Sequence, residues 1–435
     1  MRRRFLIAVT AAALAAAVLG FGGVLHGGGA AARGRPQADA ATLASGFASG
    51  DTAGLVAQLQ ATLRVRPADV HELGLLGLAY QQRARETGDP AWYGKSAGIL
   101  RRALRLAPRD LLATRGLGTL ALSRHRFAEA LLIGRRAVAL SPSTAAGYGV
   151  VGDALVELGR YREAFRAFDR MAELKPGLSS YARVSYAREL HGDRQGAIEA
   201  MRLAATAAIG QAEPSAWVDV QLGKLEWNRG RYAAAATWYR AALRAFPGYV
   251  YALDALAQVE AARGNVARAI SLERRAQDTI PLPQFVGLLG DLQRVAGHEP
   301  EARRAYALVG VIDRLLRANG VRTDLEIALF RADHRVALPR TLALAHRAQQ
   351  ARPSIDGDDV LAWTLQRNGR CTDALHYSRL ALRLGTQDAL KFFHRGMIER
   401  CLGNRAAGRG WFRRAVALNP HFSVLWSPVA RRYAS

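Results

Sequence analysis

Apolar residues recur three and four positions apart along most of this chain, in stretches such as Tyr161 to Leu174 and Tyr232 to Phe246. That period predicts amphipathic helices. A second helix is predicted ahead of each, as in Ala145 to Leu158 and Trp217 to Arg229. Between the two lies a glycine, and after the second a proline. Gly159, Gly230, Gly264 and Gly403 are each followed 17 residues later by Pro176, Pro247, Pro281 and Pro420. Pro108, Pro142 and Pro176 stand 34 apart, as do Pro247 and Pro281. Glycine takes the left-handed conformation that closes the first helix. Proline, with no N–H to give, ends the second.

Within this period small residues hold fixed places. Gly118, Gly152, Gly223 and Ala257 share one first-helix position, and Ala130, Ala164, Ala235 and Ala269 one second-helix position. Helices approach most closely there. Leu117, Val151, Leu222, Leu256, Phe168 and Tyr239 fill the space between. A helix-turn-helix unit of 34 residues with this small, large and proline pattern resembles the tetratricopeptide repeat (TPR) family. The resemblance implies an all-α, right-handed superhelical solenoid of about eleven hairpins, covering almost the whole chain beyond residue 40. The units read near 36–69, 70–110, 111–144, 145–177, 178–215, 216–249, 250–282, 283–321, 322–355, 356–388 and 389–422, with 423–435 as a cap or tail.

Some units depart from the pattern. The second carries a seven-residue excess around Glu86 to Gly94, where Thr87-Gly88-Asp89-Pro90 reads as a turn beside Trp92 and Tyr93 and predicts a loop on one face. Ala208 to Pro214 is extended, and Ile312 to Val321 lengthens a second helix. The unit at 322–355 has Asp333-His334-Arg335 in place of a turn glycine.

The N-terminus follows different rules. Arg2, Arg3 and Arg4 precede an uncharged run from Phe5 to Leu25, then small residues and Arg33. This order reads as an export signal, cut after Ala32 or Ala40, or as a retained membrane anchor over the same residues. Either outcome puts everything beyond residue 40 outside the cytoplasm: secreted, periplasmic or at the cell surface.

With 61 Lys and Arg against 36 Asp and Glu, the chain carries a formal charge of +25. Arginine pairs such as Arg101 and Arg102, Arg135 and Arg136, Arg274 and Arg275, Arg303 and Arg304, and Arg413 and Arg414 fall on second helices. The family's geometry implies a convex face for them. They read as a solvated face or as a docking surface for anionic lipid or an envelope polymer. Nucleic acid is not expected of an exported chain without interleaved aromatic and basic residues.

Two cysteines, Cys371 and Cys401, exclude a disulfide-rich framework. One starts a second helix and the other ends the next first helix, so they can bridge or lie apart as buried thiols. No P-loop, dinucleotide glycine motif, nucleophile elbow or zinc-protease motif occurs, the ten histidines lack metal-ligand spacing, and no length is left for a catalytic domain. The expectation is a non-enzymatic scaffold or assembly factor with no metal and no cofactor. In the resembled family the first helices line a concave groove that takes peptides or partner helices. Carried over, the groove residues are Tyr186, Trp217, Gln221, Lys224, Trp227, Asn228, Tyr251, Asp254, Gln258, Phe330, Trp363, Phe393 and Met397. Lys224 and Asn228 resemble part of a peptide-carboxylate clamp whose remainder is absent.

Overall fold

A computed structural model describes residues 52–435. The expected export signal or anchor and the first half of the expected first unit lie outside these residues. Among the described residues there are helices and connecting turns, without strands. A single helix, α1 (Thr52–Val65), precedes ten hairpins. The first five are α2 (Val70–Thr87) with α3 (Ala91–Leu106), α4 (Leu111–Ser123) with α5 (Phe127–Leu140), α6 (Ala145–Glu157) with α7 (Tyr161–Leu174), α8 (Leu178–Leu190) with α9 (Arg194–Ala207), and α10 (Ala212–Trp227) with α11 (Tyr232–Ala245). There follow α12 (Val250–Ala262) with α13 (Val266–Thr279), α14 (Pro283–Val295) with α15 (Glu299–Ala318), α16 (Asp324–Asp333) with α17 (Leu338–Ala351), α18 (Ile355–Arg367) with α19 (Cys371–Ala381), and α20 (Ala389–Cys401) with α21 (Arg405–Leu418). α22 (Ser427–Ala434) closes the array against α21 and α20.

Local chemistry sets the ends of the helices. Asp110, Asp193, Asp388 and Ser354 cap first or second helices by accepting backbone N–H groups of the first turn. At the hairpin turn Gly159 sits at φ 69°, and the N–H of Arg160 returns 2.8 Å to the carbonyl of Leu155. That is the bond of a Schellman motif, and it recurs from Arg231 to Glu226, Asn265 to Glu260 and Asn404 to Glu399. Where the glycine is missing the chain still enters the left-handed region: Arg335 has φ 57° and Ala337 φ 43°.

The small positions serve close packing. A β-carbon on Gly223 would fall inside the ring edge of Tyr239, which is 1% exposed beneath it. Gly152 and Phe168 repeat that arrangement two hairpins earlier. Ala130, Ala164, Ala235 and Ala269 are all fully buried. The turn expected at Thr87 to Pro90 is present, but no loop stands out from one face: the extra residues lengthen α2 and α3 to 18 and 16 residues, and only Gly88, Asp89 and Pro90 join them. Helix hydrogen bonds and the stacking of Trp92 on Tyr80 at 5.5 Å favour this over an exposed loop. Of the excess at Ala208 to Pro214, the last three residues enter α10, with Pro214 in the first turn, where a missing N–H costs nothing.

The array turns back on itself. Turns of the third to sixth units touch connections 187 to 197 residues further along. His125 Nδ1 lies 2.6 Å from the carbonyl oxygen of Arg322, whose N–H donates to the Arg124 carbonyl at 3.1 Å. Arg352 pairs with buried Glu157 and, at 3.0 Å, with Glu326. The Ile355 N–H donates to the Tyr161 hydroxyl at 2.7 Å, and Thr386 donates to the Leu190 carbonyl. Asn419 donates to the Trp227 carbonyl at 2.8 Å and accepts from the Tyr232 hydroxyl at 2.7 Å. One coil of the superhelix is thereby stapled to the next.

Candidate functional site

Stapling shapes the inner face of the solenoid into a half-open cavity of about 630 Å³, a size usual for ligand sites. The first helices α8, α10, α12, α14, α16, α18 and α20 circle it, and His125 reaches it from the neighbouring coil. Side chains three, four and seven residues apart on one helix share a face. That spacing brings Gln221, Lys224 and Asn228 to the wall from α10, and Tyr186 and Glu189 from α8.

Of the groove residues expected from the sequence, Tyr186, Gln221, Lys224, Trp227, Asn228, Asp254, Gln258 and Phe330 line the cavity. Trp217, Tyr251, Trp363, Phe393 and Met397 do not. Trp217 is 7% exposed within the core around α10 to α14, and Tyr251 packs beside Tyr249 and Phe285. Trp363 and Phe393 are fully buried against Trp426 and Phe412, with Met397 packed on the same cluster. A first helix has two inward sides, one facing the channel and one the adjacent hairpin, and large aromatics gain more apolar burial on the second.

The wall is polar and carries a definite sign. Its carboxylates are Glu189, Asp254, Asp291, Glu326, Asp333, Asp356, Asp359 and Asp388; its Lys and Arg side chains are Lys224, Arg352 and Lys391. Most of these charges are committed. Lys391 binds Asp356 at 2.7 Å and Asp388 at 2.9 Å, and these two ion pairs outweigh burial, holding its ammonium well above the usual range. Asp291 meets His334 Nε2 at 2.8 Å and accepts from Tyr306. Burial alone would lower the His334 pKa, but the bond to Asp291 prevails and raises it. Asp333 accepts from the indoles of Trp363 and Trp426 at 2.9 and 2.8 Å. Asp359 is 2.9 Å from His394 Nδ1.

The cluster on α8, α10 and α12 is different. Glu189 is held by the Asn228 amide at 3.0 Å and Asp254 by the Gln258 amide at 3.1 Å, and among the described residues neither makes an ion pair within 4.0 Å. Lys224 feels both as charges without contacting either. Burial pushes the Asp254 carboxyl up to about 6, with Lys224 pulling the other way, and raises Glu189 too. Burial pushes the Lys224 ammonium down. Lys224 thus stands near two carboxylates, Glu189 and Asp254, whose charges offset part of its own. Among the described residues no three His, Cys, Asp or Glu side chains converge as a metal site.

Asp291, Asp356 and Asp388 were missed by sequence reasoning. For Asp291 the signal was present: it follows Gly290 as Lys224 follows Gly223 and Gln258 follows Ala257. All three line the cavity. Asp388 lies in a connection that reaches the wall through its own cap geometry, which the repeat register does not encode.

The arginine pairs lie outside. Several serve the fold itself: Arg102 and Arg136 donate at 2.6 Å to the Pro67 and Pro108 carbonyls of the preceding connections, and Arg304 pairs with Glu301. Arg413 donates to the Ala434 carbonyl, and Arg414 lies over Trp411 at 4.3 Å.

Comparison with known proteins adds the following. The tetratricopeptide repeat model matches residues 82–145 and 220–282. No curated protein sequence matches the chain. Among solved structures, the human IFIT1 dimer with PPP-AAAA is 16% identical over 73% of this chain and 72% of its own, with TM-score 0.46. A thermophilic TPR protein of Thermus thermophilus is 22% identical over 45% of this chain and 98% of its own, with TM-score 0.39. PilF of Pseudomonas aeruginosa is 17% identical over 55% and 96%, with TM-score 0.37. Ten consecutive hairpins, most with glycine or alanine at the close approach, together with two segments matched by the tetratricopeptide repeat model, carry one conclusion: the described residues have the all-α architecture of a tetratricopeptide repeat solenoid.

Proposed function

We propose that this protein is an exported, non-enzymatic scaffold that holds a segment of a partner protein or peptide in its inner cavity. The TPR architecture is consistent with such binding. The observation that carries the reading is Gln221: 8% exposed, facing a 630 Å³ cavity and without a hydrogen-bond partner among the described residues. A buried amide left unbonded costs free energy that a ligand restores. Export rests on the N-terminal pattern of arginines, apolar run and small residues. Nucleic acid fits poorly, since a wall of eight carboxylates and three Lys or Arg side chains repels phosphate.

The test is selection from an unbiased peptide library against the full chain, followed by binding to Gln221→Ala and Tyr186→Ala variants. Both should weaken the selected peptides at least ten-fold without altering the circular dichroism spectrum or the melting temperature by more than a few degrees. Binding that neither variant changes would place the partner elsewhere.

A further inference from the structure

The C-terminal ends of α1 and α3 share one register. α1 ends on Arg64-Val65 and runs into Arg66-Pro67, and α3 ends on Arg105-Leu106 and runs into Ala107-Pro108. Equivalent positions of a solenoid line up along one edge. A direct bond joins these two ends: Arg102, one turn before Leu106, donates at 2.6 Å to the carbonyl of Pro67, which follows Val65 and Arg66. Val65 and Leu106 are 82% and 50% exposed, and Arg64, Arg66, Arg105 and Arg109 are exposed with them. A lone exposed apolar side chain is ordinary on a protein surface. Here one exposed position is apolar in two successive units, with arginine before it in both.

Most of the positive charge on this edge is uncompensated. Arg66 pairs with Asp69 at 3.2 Å, whereas Arg64, Arg105 and Arg109 make no ion pair within 4.0 Å among the described residues. Asp110, next to Arg109, is turned inward and accepts the Ala113 N–H at 2.7 Å as a helix cap. We propose that this edge docks on the surface of an anionic lipid bilayer. Phosphate headgroups meet the arginines, while Val65 and Leu106 enter the boundary between headgroups and acyl chains. A soluble polyanion would use the arginines alone and gives no reason for apolar side chains set among them. These units are also the nearest in sequence to the uncharged run Phe5 to Leu25, so a chain held by that run presents this edge to the membrane first. Each arginine near such a surface contributes roughly a five-fold gain in partition, and three without an acidic partner on the order of a hundred-fold. The edge and the cavity share no residue, so the inference stands apart from the cavity reading.

The experiment follows amide hydrogen exchange of the full chain on vesicles of phosphatidylcholine alone and on vesicles with about one-third phosphatidylglycerol. An apolar run such as Phe5 to Leu25 partitions into both, so a local readout isolates the edge. Amides of 62–69 and 103–110 should exchange at least five-fold more slowly on the anionic vesicles than on the neutral ones. That difference should vanish in about 0.5 M NaCl, which screens exposed charges. Arg105→Glu with Arg109→Glu should remove it at an unchanged circular dichroism spectrum, and Arg105→Gln with Arg109→Gln should reduce it if charge reversal unfolds α3. Val65→Ser with Leu106→Ser should weaken the protection at least three-fold on vesicles. Soluble polyphosphate should protect these amides less than the anionic vesicles do. Equal exchange on both kinds of vesicle, or protection that neither the arginine nor the apolar substitutions change, overturns the inference. Polyphosphate that protects as well as the vesicles, in the parent and in the Val65→Ser, Leu106→Ser chain alike, overturns the membrane as partner and makes the edge a site for soluble polyanions.

Discussion

Glu273 shows how one buried residue can set a pH dependence. It is fully buried on α13, neither carboxylate oxygen has a hydrogen-bond partner among the described residues, and burial together with the like charge of Asp254 raises its pKa well above the usual value. A carboxyl whose folded pKa exceeds its unfolded one binds a proton on folding. Its contribution is fully present below the unfolded pKa and is lost as pH rises toward the folded one. Glu273→Gln removes that loss. The variant should match wild type near pH 4.5 and gain about 1.4 kcal/mol for each pH unit above it within the window. Urea denaturation at pH 5, 6 and 7 checks this, and a gain that does not vary with pH would show that Glu273 is ionised in the folded chain. The same desolvation acts on Lys224 and Asp254, where charges of opposite sign stand near enough to offset it in part.

At the scale of the element, the division of labour between the two helices of each hairpin decides which residues reach the site. First helices supply most of the cavity lining, including most of its charges, while second helices pack beneath them, add apolar lining such as Met201 and Tyr239, and carry the paired exposed arginines. The hairpin order brings the start of α19 beside the end of α20, with the Cα atoms of Cys371 and Cys401 5.9 Å apart, inside the range a disulfide spans. Oxidation across that gap closes a loop of 30 residues and should stabilise the C-terminal hairpins by about 3.5 kcal/mol in the chain-entropy model. The protein purified without reductant should run as the bridged species under non-reducing mass analysis. Dithiothreitol or Cys401→Ser should lower the urea midpoint by the corresponding amount, and an unchanged midpoint would mean that the thiols stay unpaired.

At the scale of the whole molecule the staples between coils set the cooperativity. A solenoid with contacts only between adjacent hairpins opens from its ends. Here the bonds of His125, Tyr161, Thr386 and Asn419 join hairpins nearly 200 residues apart, so one coil cannot open without the other. The buried pair of Arg352 with Glu157 is the staple most sensitive to deletion. Arg352→Ala leaves Glu157 without its cation and should cost about 3–5 kcal/mol. Adding Glu157→Gln should recover part of that cost. Hydrogen exchange should show amides of α6 and α18 losing protection together; independent loss would mean the coils are not coupled.

The repeat, its glycine turns and its proline stops were legible in the sequence because each is a local steric requirement. Gly159 must reach positive φ, Gly223 must clear Tyr239, and Pro176 must stop a helix, whatever lies across the molecule. The polar members of the cavity wall on α10 and α12, namely Gln221, Lys224, Asp254 and Gln258, were legible for the same reason, through helix face and register. Trp363 and Phe393 were not, because register places a side chain on the inner half of a helix but does not say whether the channel or the adjacent hairpin claims it. Only the tertiary structure decided that, along with the closure of the groove into a cavity and its acidic sign. Closure depends on the accumulated rotation between successive hairpins, a sum of small packing angles that brings Trp227 against Asn419, 192 positions further along the chain. No local pattern records that sum.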